Sequence, residues 1–277
     1  MNLKSIGIAA FGSLFLSAGL ACAGEIPKRI VDAGKFTLTI NATFTPMEFV
    51  DPKTNTFVGL DIELVDAIAK RLGLGVTRTD GLFNQLIPAL TTGRTDFILS
   101  GMIDNEERRK SFDFVNYMRA GAQFFVLTKS EVKDPVELCG KAVGTIRSAA
   151  YMDLLQAWNQ KHCVDAGLKA MNIIGAESSP DVRLQLKQGR IEAGVQGGES
   201  IPYTSAQEGG IYRLIGEPLI TAYYGAAFRK EDSAFRDKFA DTLQELMDDG
   251  TYGAIFAKWD LTSHAIPKVM INSEPRK

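Results

Sequence analysis

Apolar positions along this chain follow two rhythms. From Lys35 to Ile40 they recur at every second residue, as in a half-buried strand. At Leu60, Leu64, Ala67, Ile68 and Leu72 they fall on one face of a helix, and Gly73 stops it. A second helix is predicted over 82–92, beginning near Asn84 so that Pro88 falls just past its first turn. Asp104 or Asn105 can cap a third, with Glu106, Glu107 and Arg108 in its first turn. Apolar runs at 123–128, 143–146 and 222–228 predict strands, and 133–140 reads as a turn. Further helices are expected over 148–158, 180–188, 234–247 and 251–259. The tail from Thr262 carries Pro267 and Pro275 without a period, and should wrap the surface or fray.

One segment occurs twice. Leu90-Thr91-Thr92-Gly93-Arg94-Thr95-Asp96-Phe97-Ile98-Leu99-Ser100-Gly101 is echoed by Leu186-Lys187-Gln188-Gly189-Arg190-Ile191-Glu192-Ala193-Gly194-Val195-Gln196-Gly197, with Gly93 and Gly189 96 positions apart. Each copy reads as a helix end, a left-handed glycine cap and a buried strand ending at a position without a side chain. Two such units predict two similar α/β lobes. Ligands of open α/β sheets sit beyond the carboxyl ends of the strands, so Ser100-Gly101 and Gln196-Gly197 should each present a binding edge, with the ligand between them.

The first residues read as a secretory leader: Lys4 is its positive region, Ile6 to Leu20 its apolar stretch, and Ala21-Cys22-Ala23 its small-residue cleavage site before Gly24. The rival reading, a lipidated Cys22, lacks a large aliphatic residue three places earlier. Cleavage leaves Cys139 and Cys163, an even count in an oxidising compartment, and a disulfide between them is the economical assignment. Formal net charge is −2, or −3 once Lys4 is removed, so the surface carries no footprint for nucleic acid or anionic lipid. His162 and His264 with one cysteine pair make no metal-ligand set, and no phosphate loop or nucleotide site is present, so no cofactor is expected.

Taken in order, several elements resemble the periplasmic solute-binding proteins of ABC importers, in the polar amino-acid family. They are Pro46-Met47-Glu48-Phe49, Val58-Gly59-Leu60-Asp61-Ile62-Glu63-Leu64, Leu86-Ile87-Pro88-Ala89-Leu90, Asp96 through Met102 with Arg108, Leu138-Cys139-Gly140-Lys141-Ala142-Val143-Gly144, and Gly250-Thr251-Tyr252 with Lys258-Trp259. The resemblance implies a two-lobed α/β fold of the type II periplasmic-binding-protein kind, its lobes joined by two crossing segments. After a leader at 1–23, lobe one would hold 24–118 and 224–277, and lobe two 119–223. It also implies a periplasmic protein, a monomer, that closes its lobes on a small polar carboxylate and hands it to an inner-membrane permease with its ATPase.

The family's carboxylate site maps onto Arg108, whose guanidinium offers a planar two-point grip; Arg109 is read as the solvated neighbour. Phe44 and Phe83 match the positions that sandwich the ligand's side chain, and Ser100 and Gly101 match contacts at the end of the lobe-one strand. Asn41 stands where binders of basic amino acids carry an acid, which argues against a lysine-like or arginine-like ligand. Three departures follow. Ile103 replaces a serine, Ala149-Ala150 replace a hydroxyl pair, and Gly197 stands where the family grips the ligand's α-ammonium with an acid. Arg147 would add a second cation to the cleft. A buried ammonium without an acid is costly, so the expected solute keeps a carboxylate but has a substituted, displaced or absent amine, unless Glu199 swings in. The alternative is an enzyme on the same scaffold, a dehydratase of a cyclic carboxylic acid, with Glu48 or Glu199 as its acid or base.

Overall fold

The computed structural model describes residues 26–275, so the leader read from Lys4 and Cys22 and the expected start at Gly24 lie outside the described residues. The first lobe opens with α1 (Lys28–Ala33) and β1 (Lys35–Ile40), whose alternation buries Phe36, Leu38 and Ile40. Three short antiparallel strands follow, β2 (Thr43–Phe44), β3 (Glu48–Val50) and β4 (Phe57–Val58). Next, α2 (Leu60–Leu72) buries Leu60, Leu64 and Ile68 and ends at Gly73 in the left-handed region. It leads into β5 (Gly75–Asp80), parallel to β1. The helix expected over 82–92 begins as a 3₁₀ turn, Phe83–Gln85, and continues as α3 (Leu86–Thr91). Pro88 thus falls in the first turn of α3, where its missing N–H leaves no bond unmade. The four-residue α4 (Glu106–Arg109) is capped by Asn105, whose side chain accepts from the Arg108 amide at 2.9 Å.

Two long strands run between the lobes. They are β6 (Phe112–Leu127) and β10 (Tyr212–Arg229), antiparallel from Phe112 opposite Arg229 to Leu127 opposite Tyr212. The apolar runs at 123–128 and 222–228 cover only part of these two strands. The second lobe is built on β7 (Ala142–Ile146), parallel to both β8 (Asn172–Ala176) and β9 (Ala193–Gly197), with β9 antiparallel to β6. Around it lie α5 (Tyr151–Asn159), α6 (Ser179–Lys187) and α7 (Ser200–Gln207). The chain then returns through α8 (Ser233–Asp248) and α9 (Thr251–Lys258) to the first lobe. There Phe36, Phe97, Phe228, Phe235 and Phe239 pack ring against ring, with centroids 5.0–5.9 Å apart.

Two expectations change. The tail does not fray: β11 (Ala265–Ile271) pairs with β6, and β12 (Glu274–Pro275) with β11. Ile266 and Val269 are buried, the Tyr252 hydroxyl accepts from the Ile266 amide at 2.9 Å, and Pro267 sits in a register shift where no ladder bond is needed. In the repeat, Gly93 and Gly189 both take the left-handed cap, at φ +73° and +68°. The second copy forms β9, but the first makes only an isolated bridge, Ile98 to Ala227. Its bonds are shared out instead, Asp96 to Thr37 and Ile98 to Ala227, so no ladder builds.

Cys139 and Cys163 are disulfide-bonded, with Cα atoms 5.6 Å apart; Cys163 lies in the π-helical turn after α5. Outside the cleft, Phe49 on β3 and Trp259 after α9 meet Tyr203 of α7, with ring centroids 5.9–6.3 Å apart.

Candidate functional site

A cavity of about 410 Å³ lies between the lobes. From the first lobe it is lined by Asn41, Phe44, Glu48, Phe83, Ser100, Gly101, Ile103 and Arg108, and from the second by Ile146, Ala149, Ala150, Tyr151 and Ser179. The structure therefore brings nine of the eleven sequence-derived ligand-binding residues to one cavity. Gly197 and Arg147 are outside its lining. Arg147 is exposed, pairs with Glu177 at 3.3 Å and donates to the Gly175 carbonyl, which makes it a surface arginine and corrects its placement in the cleft.

Arg108 is half-buried and donates from Nη1 to the Ile103 carbonyl at 2.7 Å; its guanidinium carbon stands 6.0 Å from the centre of the Phe83 ring. Burial pulls its pKa down, partly offset by Tyr151, Asp153 and Asp104. No ion pair engages it among the described residues, so most of its fork is left for a ligand carboxylate. Arg109, read from sequence as solvated, instead binds the buried carboxylate of Asp104 and the Ser273 hydroxyl. The strand formed by the tail is what brings Ser273 there.

Gly101 has a structural reason to be glycine: its φ is +52°, and a β-carbon there would stand 2.7 Å from the Phe44 ring. Its amide donates to Asp61 at 2.9 Å, and Asp61 also accepts from the Tyr117 hydroxyl at 3.0 Å. Burial lifts the Asp61 pKa to about 7.

On the same wall the Asn41 amide is spent internally, donating to the Gly81 carbonyl at 2.9 Å and accepting from the Thr43 hydroxyl at 2.9 Å. Glu48, seven residues on, is fully buried. Its Oε1 accepts from the backbone N–H of Asn41 at 3.2 Å and from the Ser100 hydroxyl, while Oε2 has no partner. Burial, then the charge of Asp61, holds its pKa well above the ordinary range. The acid of this wall thus comes from Glu48 rather than from position 41.

Behind the lining, Tyr224 of β10 meets the edge of Phe44, with centroids 6.1 Å apart, and donates to Glu199 Oε1 at 2.5 Å. Its oxygen lies 2.8 Å from that of Tyr151. Glu199 is buried, its Oε2 is unpartnered, and burial raises its pKa to about 7. A β-carbon on Gly197 would collide with the Glu199 carboxylate and stand 2.6 Å from the Tyr224 oxygen. The acid missing at Gly197 is thus present in the same volume, carried by a residue two positions on. Sequence reasoning missed Tyr151 and Tyr224 altogether; the only signal was the place of Tyr151 directly after Ala149-Ala150 at a helix start.

A family model described as bacterial extracellular solute-binding proteins, family 3, matches residues 36–262. The arginine-binding protein ArgT of Corynebacterium glutamicum is 29% identical over 252 residues, covering 90% of this chain and 82% of its own length. The histidine-binding periplasmic protein of Salmonella typhimurium is 24% identical over 271 residues, covering 93% and 97%. Among solved structures, an ancestral arginine-binding protein bound to arginine superposes with a TM-score of 0.72 at 32% identity, covering 82% of this chain and 98% of that one. A mutant of ArgBP from T. maritima gives 0.73 at 29% identity, covering 84% and 97%.

Proposed function

The chain belongs to the bacterial extracellular solute-binding proteins, family 3, and from that premise we propose that it captures an amino acid with a cationic, nitrogen-rich side chain, arginine foremost. Its broader role is that of an amino-acid-binding component of an ABC importer, which closes two lobes on its solute and delivers it to the permease. The observation that carries the finer reading is the unpartnered Oε2 of Glu48, the one acid among the described residues that line the cavity. A guanidinium or ammonium placed against it draws the proton off Glu48 and pairs with the carboxylate that remains.

Four observations support the rest. Arg108 has guanidinium donors free for the α-carboxylate. Phe44 and Phe83 offer flat apolar faces to an aliphatic stem or a planar guanidinium. Asn41, whose neutrality argued against a basic ligand, is occupied within its own wall. The relatives named above bind arginine or histidine by their names.

In this reading the protein works in the periplasm, exported by a cleaved leader, as a monomer and without catalytic turnover. The raised pKa values of Glu48 and Glu199, which an acid catalyst would need, have a structural cause in burial. Calorimetry with arginine, ornithine, histidine, glutamine and glutamate tests the ligand class: arginine should bind tightest. Glutamate or glutamine binding tighter than arginine would overturn it. NMR of the bound solute should return it unchanged, and a dehydrated product would establish the enzyme instead.

A further inference from the structure

Glu199, Tyr224 and Tyr151 form a chain with a fixed direction. Tyr224 has one hydroxyl proton and gives it to Glu199 at 2.5 Å. Its oxygen can therefore only accept from Tyr151, 2.8 Å away, so the Tyr151 proton is committed inward as well. What the Tyr151 oxygen has left is acceptor capacity alone. Tyr151 lines the same cavity as Arg108. An α-carboxylate gripped by Arg108 holds its α-nitrogen, one carbon away, inside the cavity that Tyr151 lines.

We propose that the Tyr151 oxygen accepts from the ligand's α-ammonium, with Glu199 as a positioning residue that fixes the proton order through Tyr224, so that the acid absent from position 197 acts through two hydroxyls. The inference rests on the amino-acid reading above. It replaces the expectation that the missing acid selects solutes without a free amine. A carboxylate at one end of a hydrogen-bonded chain polarises each hydroxyl along it, which gives the terminal oxygen more negative character than an isolated phenol has. The glycine is part of the device, because only a residue without a β-carbon leaves Glu199 room to reach Tyr224.

The test compares L-arginine with its des-amino analogue, 5-guanidinopentanoate, by calorimetry on the full-length mature protein. In Tyr151→Phe the ring stays and the oxygen goes. Arginine should weaken by about 10- to 100-fold, the range for a lost hydrogen bond to a charged group, while the analogue changes little. Glu199→Gln, which keeps the shape, should weaken arginine by a smaller factor and again spare the analogue. Thermal melts establish that both variants fold, and the ratio of the two affinities within each variant is the readout that a merely structural role would leave unmoved. Unchanged ratios in both variants overturn the relay. So does a wild-type protein that binds the analogue as tightly as arginine, and that result leaves carboxylate capture standing. A wild type that binds neither compound overturns the arginine-type reading beneath the relay.

Discussion

The carboxylate of Glu199 occupies the volume that a β-carbon on Gly197 would fill. Gly197→Asp, which the sequence suggests as a way to restore a missing acid, should therefore not improve amino-acid binding. Even Gly197→Ala has to push Glu199 off Tyr224, and overpacking of this kind costs about 1–3 kcal/mol. Both variants should melt lower and bind arginine more weakly than wild type, by calorimetry and thermal unfolding. Tighter arginine binding by Gly197→Asp would show that Glu199 yields the space without loss.

Arg108 and Arg109 are neighbours with different surroundings, the first lining the cavity and the second bound to Asp104 and Ser273. Arg108→Ala should abolish binding at the concentrations that saturate wild type, a loss on the order of 2–5 kcal/mol, and leave the melting point within a few degrees. Arg109→Ala should do the reverse, because it strips a partner from the buried Asp104, which keeps Asn116 and Ser273 as donors. A destabilisation of about 1–3 kcal/mol with an unchanged dissociation constant is expected. Loss of binding in the Arg109 variant and not in the Arg108 variant would exchange the two assignments.

Burial, then the charge of Asp61, raises the Glu48 pKa well above the usual carboxylate range and so favours its protonated form in the empty protein. A cationic side chain settling on Oε2 should expel that proton. Calorimetry of arginine binding in buffers of differing ionisation enthalpy should register net proton release. Glu48→Gln should remove the release and weaken arginine relative to glutamine. Proton uptake on binding would rule out a cation against Glu48.

The empty protein should lose stability as pH rises. Asp61 and Glu199 both titrate near pH 7 when folded, against about 4 when unfolded. Between those values the folded state binds more protons, so stability is full below about pH 4 for these two groups and drains away up to about pH 7. The neighbours that share this window are Glu48, beside Asp61, and the Tyr224 and Tyr151 hydroxyls, which stay protonated throughout. Melting curves from pH 5 to 8 without ligand should descend, and Asp61→Asn should flatten the slope. A melting point that climbs steadily over that range would mean these carboxyls are ionised in the fold.

Much of the architecture is legible in the chain because its signals are local. The alternation of β1, the stripe and stop of α2, and the glycine caps at Gly93 and Gly189 all depend on residues within one turn or strand. The cavity was legible through Arg108, Phe44, Phe83 and their neighbours, which the family resemblance set in order. What escaped depends on distant partners. The tail becomes a strand because β6 offers an edge and Tyr252 a hydroxyl. Arg109 is held because Ser273, far along the chain, arrives beside Asp104. The relay behind the cavity needs α5, β9 and β10 to converge, and no spacing along the sequence records that Glu199 fills the place of a side chain at Gly197.

The contact of Phe49, Tyr203 and Trp259 outside the cleft gives the molecule an optical signal of its own. Trp259 belongs to the first lobe and Tyr203 to the second, so any change in the angle between lobes alters the surroundings of that indole. The other tryptophan, Trp158, stacks on His162 within the second lobe, 4.6 Å between ring centres, and moves with its own neighbours. With Trp158→Phe in place, emission from the remaining indole becomes a label-free gauge of lobe movement, and solute capture can be followed in real time without attaching a dye.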